Sequence, residues 1–120
     1  MIDPDADNGM EGRAKITIVD WDSDGMNDLL IGTKGSGPWS MQEGRKGLSY
    51  IFFLKGIQGG RSALFAKPRA IRLSNGQDLE VGDHTAAPET VAFFGDTKPG
   101  LLLGIENGRV HYYSQHELRW

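Results

Sequence analysis

One internal correspondence constrains the fold of this chain more than any other feature of its sequence. The segment 15–32 aligns without a gap with the segment 87–104, at a constant offset of 72 residues. In this alignment Asp24 matches Asp96, and both segments end in three aliphatic residues followed by glycine. Self-similarity at a fixed offset is the sequence signature of repeat architectures. We therefore predict two copies of one structural unit.

A second pair of similar segments follows at a different offset. Segment 47–53 resembles segment 108–114, which lies 61 residues further along the chain. The difference between 72 and 61 gives the first copy 11 additional residues, which we place in the Gly/Pro-rich stretch 35–46. That composition is typical of a surface loop, and insertions within repeats map to loops on one face of the molecule.

Short strands and no helix are predicted for both copies. Several short runs are rich in β-branched, aliphatic or aromatic residues, and no window sustains a period of 3.6 residues. A turn signal at 74–77 lies between two further apolar runs and indicates a hairpin. The fold class is therefore predicted to be all-β. The predicted strands are 15–19, 28–32, 50–54, 70–73, 79–81, 101–104 and 110–113.

An Asp-rich loop follows the first predicted strand. Four aspartates stand at loop positions 1, 3, 5 and 9, and Gly25 at position 6 permits the positive φ of a sharp turn. Ca²⁺ is a hard cation that takes six to eight oxygen ligands in irregular geometry. We predict one calcium site; the alternative is a solvated acidic turn, in which four unneutralised carboxylates would repel one another. The predicted ligands are the side chains of Asp20, Asp22, Asp24 and Asp28 and the backbone carbonyl of Met26.

The loop is not an EF-hand, because Ile31 stands at position 12, where an EF-hand requires glutamate, and both flanks favour strands. A calcium loop between two short strands resembles the FG-GAP/VCBS repeat of β-propellers. The resemblance implies about two four-stranded antiparallel blades, the second incomplete. It also implies an extracellular or periplasmic module for interaction or adhesion, with Ca²⁺ in a mainly structural role.

The second copy departs from the calcium pattern. Ala92 and Phe94 replace the acids at positions 1 and 3, Thr97 replaces the glycine, and Gly100 replaces the last aspartate. Only Asp96 remains, so no second calcium site is expected. We divide the chain into an acidic N-terminal segment, a first repeat and a second, degenerate and incomplete repeat, at 1–13, 14–84 and 85–120.

A closed propeller needs about four to eight blades. We therefore expect a two-repeat C-terminal piece of a larger propeller; assembly of several copies is the alternative. The last strand of the second blade is either missing or supplied by residues near Trp120. Packing against further blades, or self-association, is expected, with a protein or glycan as the partner.

Composition excludes several other classes. The net charge is -3 and the basic residues are scattered, which argues against nucleic acid as the main partner. The absence of cysteine excludes disulfides and thiolate metal sites. No signal peptide and no apolar run long enough to span a membrane are found in this sequence.

We do not expect an enzyme, since no paired general acid and base can be assigned to one cleft. Propellers with such repeats also occur in carbohydrate-active proteins, so a polysaccharide lyase or a sugar-binding domain is the alternative function. Trp39, on the inserted loop, is the candidate for stacking on a sugar. The three histidines are too dispersed for a usual zinc site.

Overall fold

The computed structural model describes residues 14–33, 49–79, 81, 86–93, 95–105 and 108–120. The predictions for the acidic segment 1–13, for the inserted loop 35–46 and for Trp39 lie outside the described residues. Within the described ranges the chain forms antiparallel strands and two short 3₁₀ turns, and no α-helix. The all-β prediction is confirmed, and none of the sheets closes on itself.

Eleven short strands are present in the described residues, with the 3₁₀ turns at Gly60–Ser62 and Gln115–Glu117. In chain order they are β1 (Lys15–Val19), β2 (Asp28–Thr33), β3 (Tyr50–Leu54), β4 (Gly56–Gln58), β5 (Leu64–Phe65), β6 (Arg69–Ala70), β7 (Arg72–Leu73), β8 (Ala87–Val91), β9 (Gly100–Gly104), β10 (Val110–Tyr113) and β11 (Leu118–Arg119).

Two sheets make up most of the structure. The first sheet has the order β1-β2-β3-β6, and the second sheet has the order β10-β9-β8. In the first sheet Lys15 pairs with Gly32, and in the second Ala87 pairs with Gly104. Each residue of the second pair lies 72 positions after its counterpart in the first pair, so the two hairpins have the same register. The second sheet has three strands where the first has four.

The third strands are related differently from the sequence alignment. Gly32 pairs with Ile51 in the first sheet, and Gly104 pairs with Val110 in the second. The structural offset is therefore 110 minus 51, or 59, and the predicted 61 is wrong by two residues. Because side chains alternate with a period of two, the error leaves every residue on its predicted face. The first copy carries 72 minus 59, or 13, additional residues.

The C-terminal strand does not complete the second sheet. β11 pairs with β7 of the first copy, Leu118 opposite Leu73, so Trp120's neighbourhood is not the missing strand of the second copy. The predicted turn at 74–77 is present, since the Leu73 amide donates to the Gln77 carbonyl. The strand predicted at 79–81 includes residue 80, which lies outside the described residues; just before it, Arg72 and Asp78 form an isolated bridge. The remaining small sheet pairs β4 with β5.

The main core lies between the two large sheets. In the first sheet, we call the surface that carries Leu30, Ile51 and Phe53 the front face. In the second sheet, the front face is the surface that carries the equivalent residues. The opposite surface of each sheet is its back face. The front face of the first sheet packs against the back face of the second, where Leu101 and Leu103 are fully buried. Trp21, Ile71 and Leu118 complete this cluster. The β1–β2 turn therefore lies at one end of a two-layer core.

Candidate metal site

The acidic loop forms the turn between β1 and β2. Residues 21–26 bend the chain, with Ser23 at φ 63° and Gly25 at φ 89°. Gly25 has no neighbour that a Cβ would touch, so its positive φ, and not lack of space, is what favours glycine there. Five residue pairs in register between β1 and β2 fix the ends of the turn.

Three of the predicted ligands converge. One carboxylate oxygen from each of Asp20, Asp22 and Asp28 lies within 4.8 Å of the other two. Oxygens bound to one Ca²⁺ at 2.3–2.6 Å can be separated by up to about 5 Å across the ion. The three side chains therefore fit around one cation of this size. Within the described residues no other group of three acids, histidines or cysteines comes as close together.

Asp28 is fully buried and anchors the turn to the rest of the sheet. Its Oδ2 accepts hydrogen bonds from the backbone amides of Trp21 (2.9 Å) and Asp22 (3.4 Å), and its Oδ1 accepts from the Gly56 amide (2.7 Å). A Cβ at Gly56 would overlap the Asn27 carbonyl oxygen, so glycine is required for this approach. Hydrogen bonds to a carboxylate are stronger than those between neutral groups.

The other carboxylates fold back over the turn. Asp20 accepts from the amides of Asp24 and Gly25, both at 3.0 Å. Asp24 accepts from the Met26 amide at 2.9 Å and lies outside the converging group of three oxygens. Met26, predicted to offer its carbonyl, is half-buried at the end of the turn. These bonds occupy one lone pair on each oxygen and leave others for a cation.

Lys55 is the residue of the site that the sequence analysis missed. Its ammonium donates to Asp22 Oδ2 and to Asp24 Oδ2, the latter at 2.5 Å. The Lys55 hydrogen bond and then the Met26 amide lower the pKa of the Asp24 carboxyl below its usual value. Asp22 and Asp24 in turn raise the pKa of the Lys55 ammonium above its usual value. The loop therefore already accommodates one positive charge.

The position of Lys55 follows from strand pairing. Leu29, next to Asp28, pairs with Leu54, so the residue after β3 must emerge beside the acidic turn. A lysine immediately after an apolar strand was the available signal, but it points to this turn only once the pairing of β2 with β3 is known.

The corresponding turn between β8 and β9 is closed by an aromatic ring. Tyr112 donates from its hydroxyl to Asp96 Oδ2 at 3.0 Å, and its ring lies against Phe93 with centroids 5.1 Å apart. A Cβ at Gly100 would overlap the Tyr112 ring. Burial first, and then Asp96, raises the pKa of Tyr112. The Tyr112 ring thus lies over Gly100, the position equivalent to Asp28 in the first turn.

An open cleft of about 330 Å³ lies beside this second turn. Six of its seven lining residues have polar side chains, and the seventh is Trp120. The same tryptophan packs edge-on against Trp21, with ring centroids 5.5 Å apart. The lining residues are Asp96, Thr97, Lys98, Ser114, Gln115, His116 and Trp120.

Comparison with protein-family models, with curated proteins and with solved structures finds no match to this chain. Among the described residues there is no helix long and apolar enough to cross a membrane.

Proposed function

We propose that this chain is a calcium-binding β-propeller repeat module of the FG-GAP/VCBS type that serves interaction or adhesion outside the cytoplasm. The observation that carries the proposal is the convergence of carboxylate oxygens from Asp20, Asp22 and Asp28 at a turn between two paired strands. Hard oxygen donors on a short, irregular loop suit Ca²⁺ better than they suit the softer transition metals.

The ion's proposed role is structural. Asp28 is held by amides of the turn and of β4, while Asp20 and Asp22 come from the turn itself. An ion shared by these three would tie the turn to the start of β2, and Asp24 and the Met26 carbonyl could complete its coordination. Four carboxylates against a single ammonium leave the turn negatively charged, which supports the binding of a divalent cation. Affinities of extracellular modules are on the order of 10⁻⁴ to 10⁻³ M.

Calorimetric titration with Ca²⁺ tests this proposal, with thermal melts in Ca²⁺ and in chelator. The test variant is Asp20→Asn with Asp22→Asn, which removes two charges and keeps the side-chain volume. Glu89→Gln, an exposed acid on β8 away from the turn, is the matched control. We expect one site in the wild type and in the control, and its loss in the double variant.

A wild type whose melting temperature is the same in Ca²⁺ and in chelator, with no heat of binding, would reduce the loop to a solvated turn closed by Lys55. Titration with Mg²⁺ separates calcium binding from general screening, because Mg²⁺ demands octahedral geometry and dehydrates reluctantly. Equal binding of both ions would argue against a dedicated calcium site.

A sugar-binding or carbohydrate-active propeller is the second candidate, and the cleft at Trp120 favours it. An aromatic side chain beside Asp96, Gln115 and His116 offers a stacking surface and polar partners for hydroxyl groups. Binding of anionic polysaccharides that is weakened by His116→Ala would support this candidate. Turnover of the polysaccharide would indicate a lyase, and a protein partner with no glycan binding would support the adhesion module. The cleft, and not only the predicted Trp39, should be tested.

A further inference from the structure

The two sheets carry equivalent residues whose environments are opposite, and the difference points to a missing neighbour. Ile51 and Val110 occupy equivalent positions on the front faces of the first and second sheets. Each pairs with a glycine, and these two glycines are themselves equivalent in the two hairpins. Ile51 is 1% exposed, because the second sheet covers it, whereas Val110 is 65% exposed. The front face of the second sheet thus presents an apolar residue where the first sheet buries one.

The paired glycines repeat this contrast. A Cβ at Gly32 would overlap the carbonyl of Ala86 and come within 3.0 Å of Pro88, so glycine there admits the backbone that leads into β8. Gly104 is equivalent to Gly32, is exposed, has no positive φ, and has nothing within 4 Å of the place of a Cβ. Glycine weakens a strand interior and often marks a close approach by another backbone.

On the back faces, the residue of the second sheet is buried and its equivalent in the first sheet is exposed. Pro88 of the second sheet is fully buried against the first sheet, while its equivalent, Ile16, is 59% exposed. Ile18, two residues further along the same face, is 67% exposed. Two β-branched residues side by side on an outer strand are therefore left facing solvent, in the position that the second sheet buries.

We propose that copies of this chain associate head to tail, with the front face of the second sheet of one copy packed on the back face of the first sheet of the next. The intermolecular contact would repeat the contact that already joins the two sheets within one chain. Val110 and Gly104 of one copy would meet Ile16 and Ile18 of the next. A front face meeting a back face is a heterologous contact, which closes into a ring or continues as a filament.

The complementarity within the chain is what selects a second copy as the occupant. The first sheet's front face and the second sheet's back face already bury Leu30, Ile51, Leu101 and Leu103 against each other. The two faces left over are of the same two kinds, one front and one back, in hairpins of the same register. If the units are propeller blades, about two to four copies would close a ring.

Sedimentation velocity over a wide range of protein concentration tests this association. The wild type is expected to assemble as concentration rises. Gly104→Val, Val110→Glu and Ile18→Glu are each expected to raise the concentration at half-assembly by about tenfold or more. All three sites are exposed, so the fold should persist, and circular dichroism melts verify this. Ile57→Glu, at a 59% exposed position on β4 and on neither face, is the matched control and should assemble like the wild type.

A mixing experiment identifies the geometry. Ile18→Glu keeps an intact front face and Val110→Glu keeps an intact back face. At a concentration where neither variant associates alone, an equimolar mixture should therefore form dimers. A wild type that stays monomeric at every concentration would overturn the proposal. So would assembly that ignores the three variants, assembly lost in Ile57→Glu, or variants that fail to combine on mixing. None of these outcomes depends on calcium binding by the turn.

Discussion

The turn between β1 and β2 and the turn between β8 and β9 join strands of identical register, yet they are closed by different chemistry. In the first, buried Asp28 accepts hydrogen bonds from three backbone amides, and Lys55 bridges the carboxylates of Asp22 and Asp24. In the second, Gly100 stands where Asp28 would be, and the ring of Tyr112 fills the space.

The comparison teaches that a hairpin of this register can be closed without a cluster of acids. Strand pairing fixes the two ends of each turn, and either ionic or aromatic contacts can satisfy what lies between them. The convergence of Asp20, Asp22 and Asp28 is the part of the first turn that the proposed cation would explain. Substitutions at each turn should separate the part that stabilises the fold from the part that serves the ion.

The largest effect is expected for Asp28→Ala. This change leaves the amides of Trp21 and Gly56 buried without an acceptor, at a cost of about 1–3 kcal/mol for each lost partner. We expect destabilisation of about 3 kcal/mol by urea unfolding in chelator. Asp20→Ala, at a more exposed carboxylate, is the control and should cost much less. Equal losses for the two variants would contradict the anchoring role of Asp28.

Gly56→Ala should be next in magnitude. The added methyl group overlaps the Asn27 carbonyl and pushes β4 away from Asp28, so we expect a loss of about 1–3 kcal/mol in unfolding free energy. Gly104→Ala, where the Cβ meets nothing, is the control and should stay within about 0.5 kcal/mol of the wild type. The measurement is urea unfolding at low protein concentration.

Lys55→Gln tests whether the Lys55 ammonium competes with Ca²⁺ for the acidic turn, a competition that the aromatic turn does not have. Removing the ammonium frees Asp22 and Asp24 for the ion and raises the negative potential of the loop, so Ca²⁺ should bind about tenfold more tightly in calorimetry. Lys67→Gln, at an exposed lysine away from the turn, controls for net charge. Weaker binding in Lys55→Gln would mean that the lysine organises the site and does not compete with the ion.

Tyr112→Phe tests the aromatic turn. It removes the hydrogen bond to Asp96 and keeps the ring over Gly100, so the melting temperature should fall by only about 3–5 °C. Calcium affinity should be unchanged, because Tyr112 belongs to the second sheet. A change in calcium affinity would show that the two turns are coupled through the core.

The smallest effect is the pH dependence of the metal-free protein. The folded pKa of Asp24 is lowered, so its stabilising contribution is complete above about pH 4 and is lost as the pH falls through the folded value. The pKa of Lys55 is raised, so its contribution is complete below about pH 10 and is lost as the pH rises through the folded value. Both groups are exposed, so each effect is small. When melting temperature is measured against pH in chelator, Asp24→Asn should reduce the fall in melting temperature at acidic pH.

The sequence by itself determined the all-β class, the register of the two hairpins and the place of the acidic turn. Each of these rests on local information: alternation with a period of two, turn residues, and a gapless alignment of segments 15–32 and 87–104. The cluster of Asp20, Asp22 and Asp28 was accessible for the same reason, because the three residues lie within nine positions of one loop.

Only the tertiary structure decided what distant segments do to one another. Lys55 reaches Asp22 from 33 residues away, and β11 joins β7 instead of the second sheet. The offset of the third strand is 59 because its pairing partner, and not the resemblance of its residues, sets its register. Nor does composition show that Ile51 is buried while Val110 is exposed. Such contacts depend on how two finished sheets stack, and the free energy of stacking is shared among many weak apolar contacts that leave no short pattern in the chain.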